Sequence, residues 1–322
     1  MQMRSPRTPR RVRGLMLAAW LLLNTVQTAT VHAEGEEAPG ITYVEQPVGI
    51  ELTEYVRAWP ELDPYVARLE KQRMAVKADL QHAVGMAAFS EGALNLLSQL
   101  EREDGNLDEA ESLIGKAITI NSKQHLHYFQ LAMILYARLE QSSGWLERWG
   151  WHRKTKDAYR RAFELDQRSV PCRYYLAYTY LQEPWLVGGD KDEALRLAQQ
   201  GIDIGLKEFF VVRADVHRLR GEVPSAFADY DESIRLSVFK LNSYLGAGYL
   251  ALEQKEFERA KRYFEYAVRC RVDSPRTHDG LGDYYVTIHE TQAAAQAYET
   301  ALQKDPNYSL AREKLSRIKR NP

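Results

Sequence analysis

A pattern of small and aromatic residues returns every 34 positions, and it constrains this 322-residue chain more than any other feature. In LGDYYVTIHETQAAAQAYETALQKDP the markers are Leu281, Gly282, Tyr285, Ala294, Tyr298, Ala301 and Pro306. One step of 34 back stand Ala247, Gly248, Ala260, Phe264 and Ala267, and a further step back stand Ala214, Ala226, Tyr230 and Ser233. Upstream, Leu97, Ala110 and Ala117 belong to a unit that starts near Glu91, and Tyr128, Leu131 and Ala132 open the next at the same step. A period of this length marks one supersecondary unit that cannot bury its apolar stripe alone and must stack on its neighbours. Small residues such as Gly282 and Ala294 suit a close crossing of two antiparallel helices, and Tyr298 or Phe264 fills the gap toward the following unit.

The markers of the last unit fit the tetratricopeptide pattern L-G-x2-Y, A-x3-F, A and P, with His278 in place of the leading Trp. The chain resembles that family. The resemblance implies an all-α fold: a right-handed superhelical solenoid of about six helix-turn-helix repeats, at 91–124, 125–169, 170–206, 207–240, 241–274 and 275–308. Residues 309–322 then form a C-terminal capping helix, SLAREKLSRIKR, with Leu310, Leu315 and Ile318 inward and charges outward.

The segment ahead of the repeats divides in three. Residues 1–33 hold Arg4, Arg7, Arg10, Arg11 and Arg13, an apolar run from Leu15 to Leu23, and the small-residue exit Val31-His32-Ala33. A basic start, an apolar run too short to span a bilayer and an A-x-A-like site together predict a secretory signal peptide cleaved after Ala33. The location is then periplasmic or secreted, with no transmembrane segment in the mature chain. Residues 34–63 read as a linker or extended segment. From Pro64 to position 90, Tyr65, Leu69, Val76, Leu80 and Val84 predict one or two amphipathic helices that cap the first repeat.

Loss of the five signal arginines, which no Asp, Glu or Lys in that segment offsets, takes the net charge from −1 to −6. No basic field remains for nucleic acid. Cys172 and Cys270 lie more than two units apart, beyond disulfide reach, and read as buried small residues. His125 and His127 sit at i and i+2 of a helix start and read as surface histidines, so no metal set forms from them. No G-x-S-x-G, P-loop or Cys/His pairing is present. No catalytic residue, metal or cofactor is expected, and the chain reads as a non-enzyme.

Two unit junctions depart from the period. In the second repeat, about eleven residues separate the helix markers beyond what the period allows, and GWLERWGWHRK with Trp145, Trp149 and Trp151 lies there. In the third, LQEPWLVGGDKDEAL adds about five residues, including Trp185. Enlarged turns of neighbouring repeats emerge side by side on one edge. Trp145 and Trp149 share a helix face that Trp185 can close over as a satellite core, with Trp151 exposed after a break at Gly150; the other reading is an exposed aromatic edge of Trp145, Trp149, Trp151 and Trp185. The pair of insertions is similar to that of a group of secreted or periplasmic bacterial tetratricopeptide proteins. Here the matching residues are Lys154, Lys156, Ala162, Leu165 and Asp166, then Pro184, Gly188, Gly189, Asp190 and Ala194, with Gln167 where proline is usual. That resemblance implies an envelope location and carries no activity.

The family's concave groove is lined by the first helix of each unit. Projected onto this chain, it carries Phe129, Met133, Tyr136, Tyr174, Tyr178, Val211, Leu245 and Tyr249, with Asn95, Gln99 and Arg102 at one end and Asp279 and Asp283 at the other. Aromatic side chains offer large contact area at low entropic cost. The expectation is a non-enzymatic periplasmic scaffold or adaptor that binds a protein or peptide partner in this groove, in envelope biogenesis or secretion. The alternative is a periplasmic carrier of a small apolar or glycan ligand.

Overall fold

The computed structural model describes residues 52–85, 90–182, 189–237, 240–269 and 274–320. Among them are fifteen α-helices, one 3-10 turn and no strand. The predicted signal peptide, Trp185 and Cys270 lie outside these residues. The chain opens with α1 (Leu52–Ala58), the turn Pro60–Leu62 and α2 (Asp63–Gly85), which bends at Gln72, where φ is −135° and ψ 36°. Six antiparallel hairpins follow: α3 (Glu91–Glu103) with α4 (Leu107–Ile120), α5 (His125–Gln141) with α6 (Trp145–Leu165), and α7 (Val170–Gln182) with α8 (Lys191–Asp203). The second three are α9 (Phe209–Leu219) with α10 (Val223–Arg235), α11 (Lys240–Glu253) with α12 (Phe257–Arg269), and α13 (Pro275–Thr287) with α14 (Thr291–Lys304). Helix α15 (Ser309–Arg320) packs on α14.

The turn inside the hairpin has one form in the first, fourth, fifth and sixth repeats. Gly105, Gly221, Lys255 and His289 all have positive φ, and the last three are 34 residues apart. Each lets the next amide reach five residues back: Glu222 to His217, Glu256 to Ala251 and Glu290 to Tyr285, at 2.9, 2.8 and 2.9 Å. This is the left-handed closure that satisfies the orphan carbonyls of a helix end. The starts of α3 and α8 are capped by side chains. Ser90 accepts from the Ala93 amide at 3.2 Å, and Asp190 of the GGD turn accepts from Asp192 and Glu193 at 2.9 and 3.0 Å.

Close packing of rings on glycines joins one hairpin to the next. A Cβ placed on Gly246 would lie 2.5 Å from Cε1 of Tyr230, which reaches over from α10. One on Gly248 or on Gly280 would lie 2.8 Å from Phe264, so that ring fills its own hairpin and the following one at once. Tyr298 covers Gly282 in the same way. Gly248, Gly282, Tyr230, Phe264 and Tyr298 are markers of the 34-residue period, and Gly246 and Gly280 lie one period apart beside them. Alanines 226, 260, 294 and 301 are fully buried beside them, as the close helix crossing demands.

Two segments depart from expectation. Residues 52–62, which the sequence places in an extended linker, are helical, with Tyr55 2%, Trp59 5% and Leu62 0% exposed. The extra residues of the second repeat do not enlarge a turn. They lengthen both helices, so that α5 has 17 residues, α6 has 21, and only 142–144 connect them.

Candidate partner-binding surfaces

The first helices of the six hairpins, α3, α5, α7, α9, α11 and α13, carry the face projected as the groove. Of its eight projected contact residues, Tyr174 and Val211 are fully buried, while Phe129, Tyr178, Leu245 and Met133 are also buried in the stack. Only Tyr136 and Tyr249 are half-buried and present surface. A buried side chain offers no area to a partner, so the expected aromatic lining narrows to those two rings.

Polar contacts within and between hairpins accompany the burial. Asn242 on α11 donates Nδ2 to the Tyr174 hydroxyl on α7 at 3.5 Å and accepts from Arg276 on α13 at 3.1 Å. The hydroxyls of Tyr178 and Tyr230 both donate to Asp215, the latter at 2.5 Å. Burial raises the Asp215 carboxyl above its ordinary range, and the two hydroxyls oppose that rise. Tyr249 and Tyr298 donate to Asp283 at 2.9 and 2.7 Å. Lys314 of the cap donates to Asp279 and Asp283 at 2.9 and 2.7 Å, so the carboxylates projected to the far end of the groove hold α15 in place.

The aromatic stretch is a helix face; Trp185, which a satellite core would need to close over it, lies outside the described residues. Helix α6 runs unbroken through Gly150, and its inner stripe of Thr155, Ala158, Tyr159 and Ala162 continues back to Trp151. Trp151 is half-buried against the main core, with Lys154 Nζ 4.4 Å and the Arg138 guanidinium 5.5 Å from its ring. Trp149, two residues earlier, is turned about 200° away at helical pitch. Trp145, Leu146 and Trp149 are therefore 40%, 59% and 45% exposed, and Arg153 lies over the Trp149 ring at 5.9 Å. Arg148 fixes the base of this face by donating to the carbonyls of Leu139 and Ser142 at 3.0 and 3.1 Å. The expected roles are reversed: Trp151 is the packed member, and Trp145 and Trp149 meet solvent.

Sequence reasoning missed the covering of the amino-terminal end of the concave face. The Trp59 ring lies against Gly92, where a Cβ would come within 2.6 Å of it. It stacks on His127 with 5.4 Å between centroids and donates Nε1–H to Glu91 at 3.1 Å. His127 is fully buried rather than on the surface, and Asn95 approaches its Nδ1 at 2.8 Å. Burial first, with His125 adding, lowers its pKa to about 4, so it is neutral at physiological pH. The one signal in the sequence is the aromatic pair Tyr55 and Trp59, four apart ahead of Pro60.

For chemistry the structure offers little purchase. Cys172 is fully buried, and burial pushes its thiol up to about 12, far from the thiolate a nucleophile needs. Among the described residues no group of three or more His, Cys, Asp or Glu is placed to hold a metal ion, and no helix is long and apolar enough to cross a membrane.

No family model matches the chain, and no curated protein does. Among solved structures it is similar to a tetratricopeptide repeat protein from Parabacteroides merdae, with a TM-score of 0.64, 16% identity, and coverage of 83% of this chain and 99% of that one. It is also similar to PilW, a widely conserved type IV pilus biogenesis factor, with a TM-score of 0.52, 14% identity, and 70% and 98% covered. A third neighbour is the APC/C hetero-tetramer Cut9-Hcn1, with a TM-score of 0.56, 15% identity, and 83% of this chain against 51% of that one. The chain has the tetratricopeptide-repeat fold.

Proposed function

We propose that this chain is a non-enzymatic scaffold, exported to the periplasm or secreted, that binds a protein or peptide partner. The observation that carries the reading is the exposed face of Trp145, Leu146 and Trp149 on a helix whose inner stripe is locked into the core. Large apolar side chains held rigidly in solvent contribute nothing to the packing of a solenoid, and they are the residues that anchor interfaces. Trp151, packed on the core, drops out of the proposed edge, Trp185 of the following repeat stays in it as a proposal from the sequence, and Tyr136 and Tyr249 are the projected groove residues that present surface to the same partner. The export half of the proposal rests on the basic and apolar order of residues 1–33. The fold is one that a pilus biogenesis factor also uses, in keeping with a role in envelope biogenesis or secretion.

The test is a cross-linking pull-down from the periplasmic fraction with the wild-type chain and with Trp145→Ser/Trp149→Ser. The proposal expects partners that the double variant loses while its helical circular dichroism is unchanged. Equal recovery by both proteins would remove the aromatic edge from the function. A small ligand retained by the purified chain in native mass spectrometry would favour the carrier alternative instead.

A further inference from the structure

We infer that the face formed by α3 and α5 of the first two hairpins is a binding site for a short helical protein segment with aromatic side chains four residues apart, and that the chain's own α1, with Trp59, fills it. The inference rests on the reading of the chain as a protein-binding scaffold, and it is independent of the aromatic edge. Helix α1, with Trp59 directly behind it, lies on helices of the first two hairpins. Trp59 sits on Gly92 of α3 and stacks on His127 of α5. Tyr55, one turn earlier, is buried within the field of the Arg102 guanidinium at the end of α3.

The face beneath α1 is not fully satisfied by it. Asn95 Oδ1, Arg102 Nε, His127 Nε2 and the Tyr175 hydroxyl are all buried without a hydrogen-bond partner. They come from α3, α5 and α7, and the Arg102 charge acts on Tyr175 as well as on Tyr55. A buried polar atom left unpaired costs about 1–3 kcal/mol, and native cores hold few of them. Asn95 and His127 touch each other at 2.8 Å beneath the Trp59 ring, so their unpaired Oδ1 and Nε2 can take hydrogen bonds that α1 does not bring. A segment that keeps the aromatic pair, donates to Glu91 and adds an amide side chain would satisfy them.

Helix α1 is suited to be displaced. At seven residues it is far below the roughly 12–15 at which a helix persists unaided. It is held by the same aromatic insertion that a ligand would use, and Gly92 is the socket: any side chain there would collide with the Trp59 ring. A tethered segment of this kind competes at an effective concentration on the order of millimolar. Partner access is thus set by the partner's affinity relative to that of α1.

The experiment uses the full chain and a fluorescent peptide of residues 52–62, LTEYVRAWPEL. Fluorescence anisotropy should show saturable binding to the Tyr55→Ala/Trp59→Ala variant and at least about tenfold weaker binding to the wild type, whose own α1 competes. A peptide with alanine at both aromatic positions should not bind. Absence of binding to the double variant overturns the inference. Hydrogen exchange of the wild-type chain tests the same idea without a substitution. Amides of 54–59 should exchange far faster than those of α5 and α7, because α1 opens while the hairpins stay folded. Equal protection would make α1 an integral cap and would overturn the inference as well. If the peptide fails while Trp145→Ser/Trp149→Ser still abolishes partner recovery, this inference falls and the scaffold reading stands; if both fail, both fall.

Discussion

Replacing Glu253 by Gln should destabilise the fourth and fifth hairpins by about 2–3 kcal/mol. Arg218 lies in the last turn of α9 with its side chain only 4% exposed, and its Nε is 3.1 and 3.0 Å from the two carboxylate oxygens of Glu253 on α11. Burial works against its charge, and Glu253, Tyr230 and Asp215 together more than restore it, so the guanidinium is held above its ordinary range. The substitution keeps shape and one acceptor but strips the partner's charge. Removing one member of a buried pair costs about 3–5 kcal/mol because the other is left uncompensated. Two features reduce that figure here: Glu253 is 20% exposed to water, and Asp215 remains beside Arg218. Urea unfolding should be followed by helical ellipticity. Tryptophan fluorescence reports only on the first half of the stack, and a solenoid can unzip from one end. The pair Arg218→Met/Glu253→Leu should return to within about 1 kcal/mol of the wild type, since a well-packed apolar pair replaces a buried ion pair at little loss. A cost below about 1 kcal/mol for Glu253→Gln, the value of an exposed pair, would show that Arg218 is solvated and that the reasoning is wrong.

Burial, with Asp283 adding, lifts the Asp279 carboxyl to about 6 against the opposing pull of Lys314, while an unfolded chain titrates near 3.9. The folded state therefore keeps a proton that the unfolded state has lost between about pH 4 and 6. Its stabilisation is complete below that window and is lost as pH rises through it. Hydrogen exchange of α15 should speed up across the window in the wild type and not in Asp279→Asn; parallel profiles would refute the assignment. Acrylamide should quench the emission of Trp145 and Trp149 readily and that of Trp59 hardly at all, as single-tryptophan variants would report; strong shielding of Trp149 would contradict its exposure. Gly246→Ala should lower stability by about 1–3 kcal/mol through overpacking against Tyr230, which its bond to Asp215 holds in place. An unchanged urea midpoint would mean that the ring moves freely. Amino-terminal sequencing of the exported protein should begin at Glu34, and recovery of the full-length chain in washed membranes would refute cleavage.

Markers that meet within a hairpin or across one junction were readable from the chain alone. Gly248 with Phe264 and Gly282 with Tyr298 announce their contact by a fixed spacing, because the helix crossing that requires the glycine also places the ring. The second repeat was misread at Gly150. A glycine costs a helix only about 1 kcal/mol, and the packing of Trp151 beneath Arg138 outweighs that, so helix continues where spacing suggested a turn. The direction of the groove residues follows from helical pitch, but their burial does not. Whether Tyr174 is open depends on Asn242, 68 residues away, and a repeat period carries no record of such a contact. Helix α1 lies outside the repeats, so no period marks it, and its place is fixed by Gly92 and His127 of later elements. The candidate edge was legible as composition, three tryptophans in seven residues. Which of them faces water was a matter of one helix's phase.

The ring-on-glycine joint also bears on how the length of such a chain can change between generations. Tyr230 rests on Gly246 and Phe264 on Gly280, and those two glycines are one repeat apart. Deletion of 241–274, or its duplication, would present each ring with an equivalent seat, so recombination between the coding segments for these hairpins preserves the fit. The corresponding positions upstream are Val212, Tyr175 and Gln130, which give no such seat. What a deletion would disturb is Arg218, which would then face Thr287 where Glu253 had been. Growth and loss of whole units are therefore open to the carboxy-terminal half of the chain, whereas the amino-terminal half, with its lengthened helices, must be inherited intact.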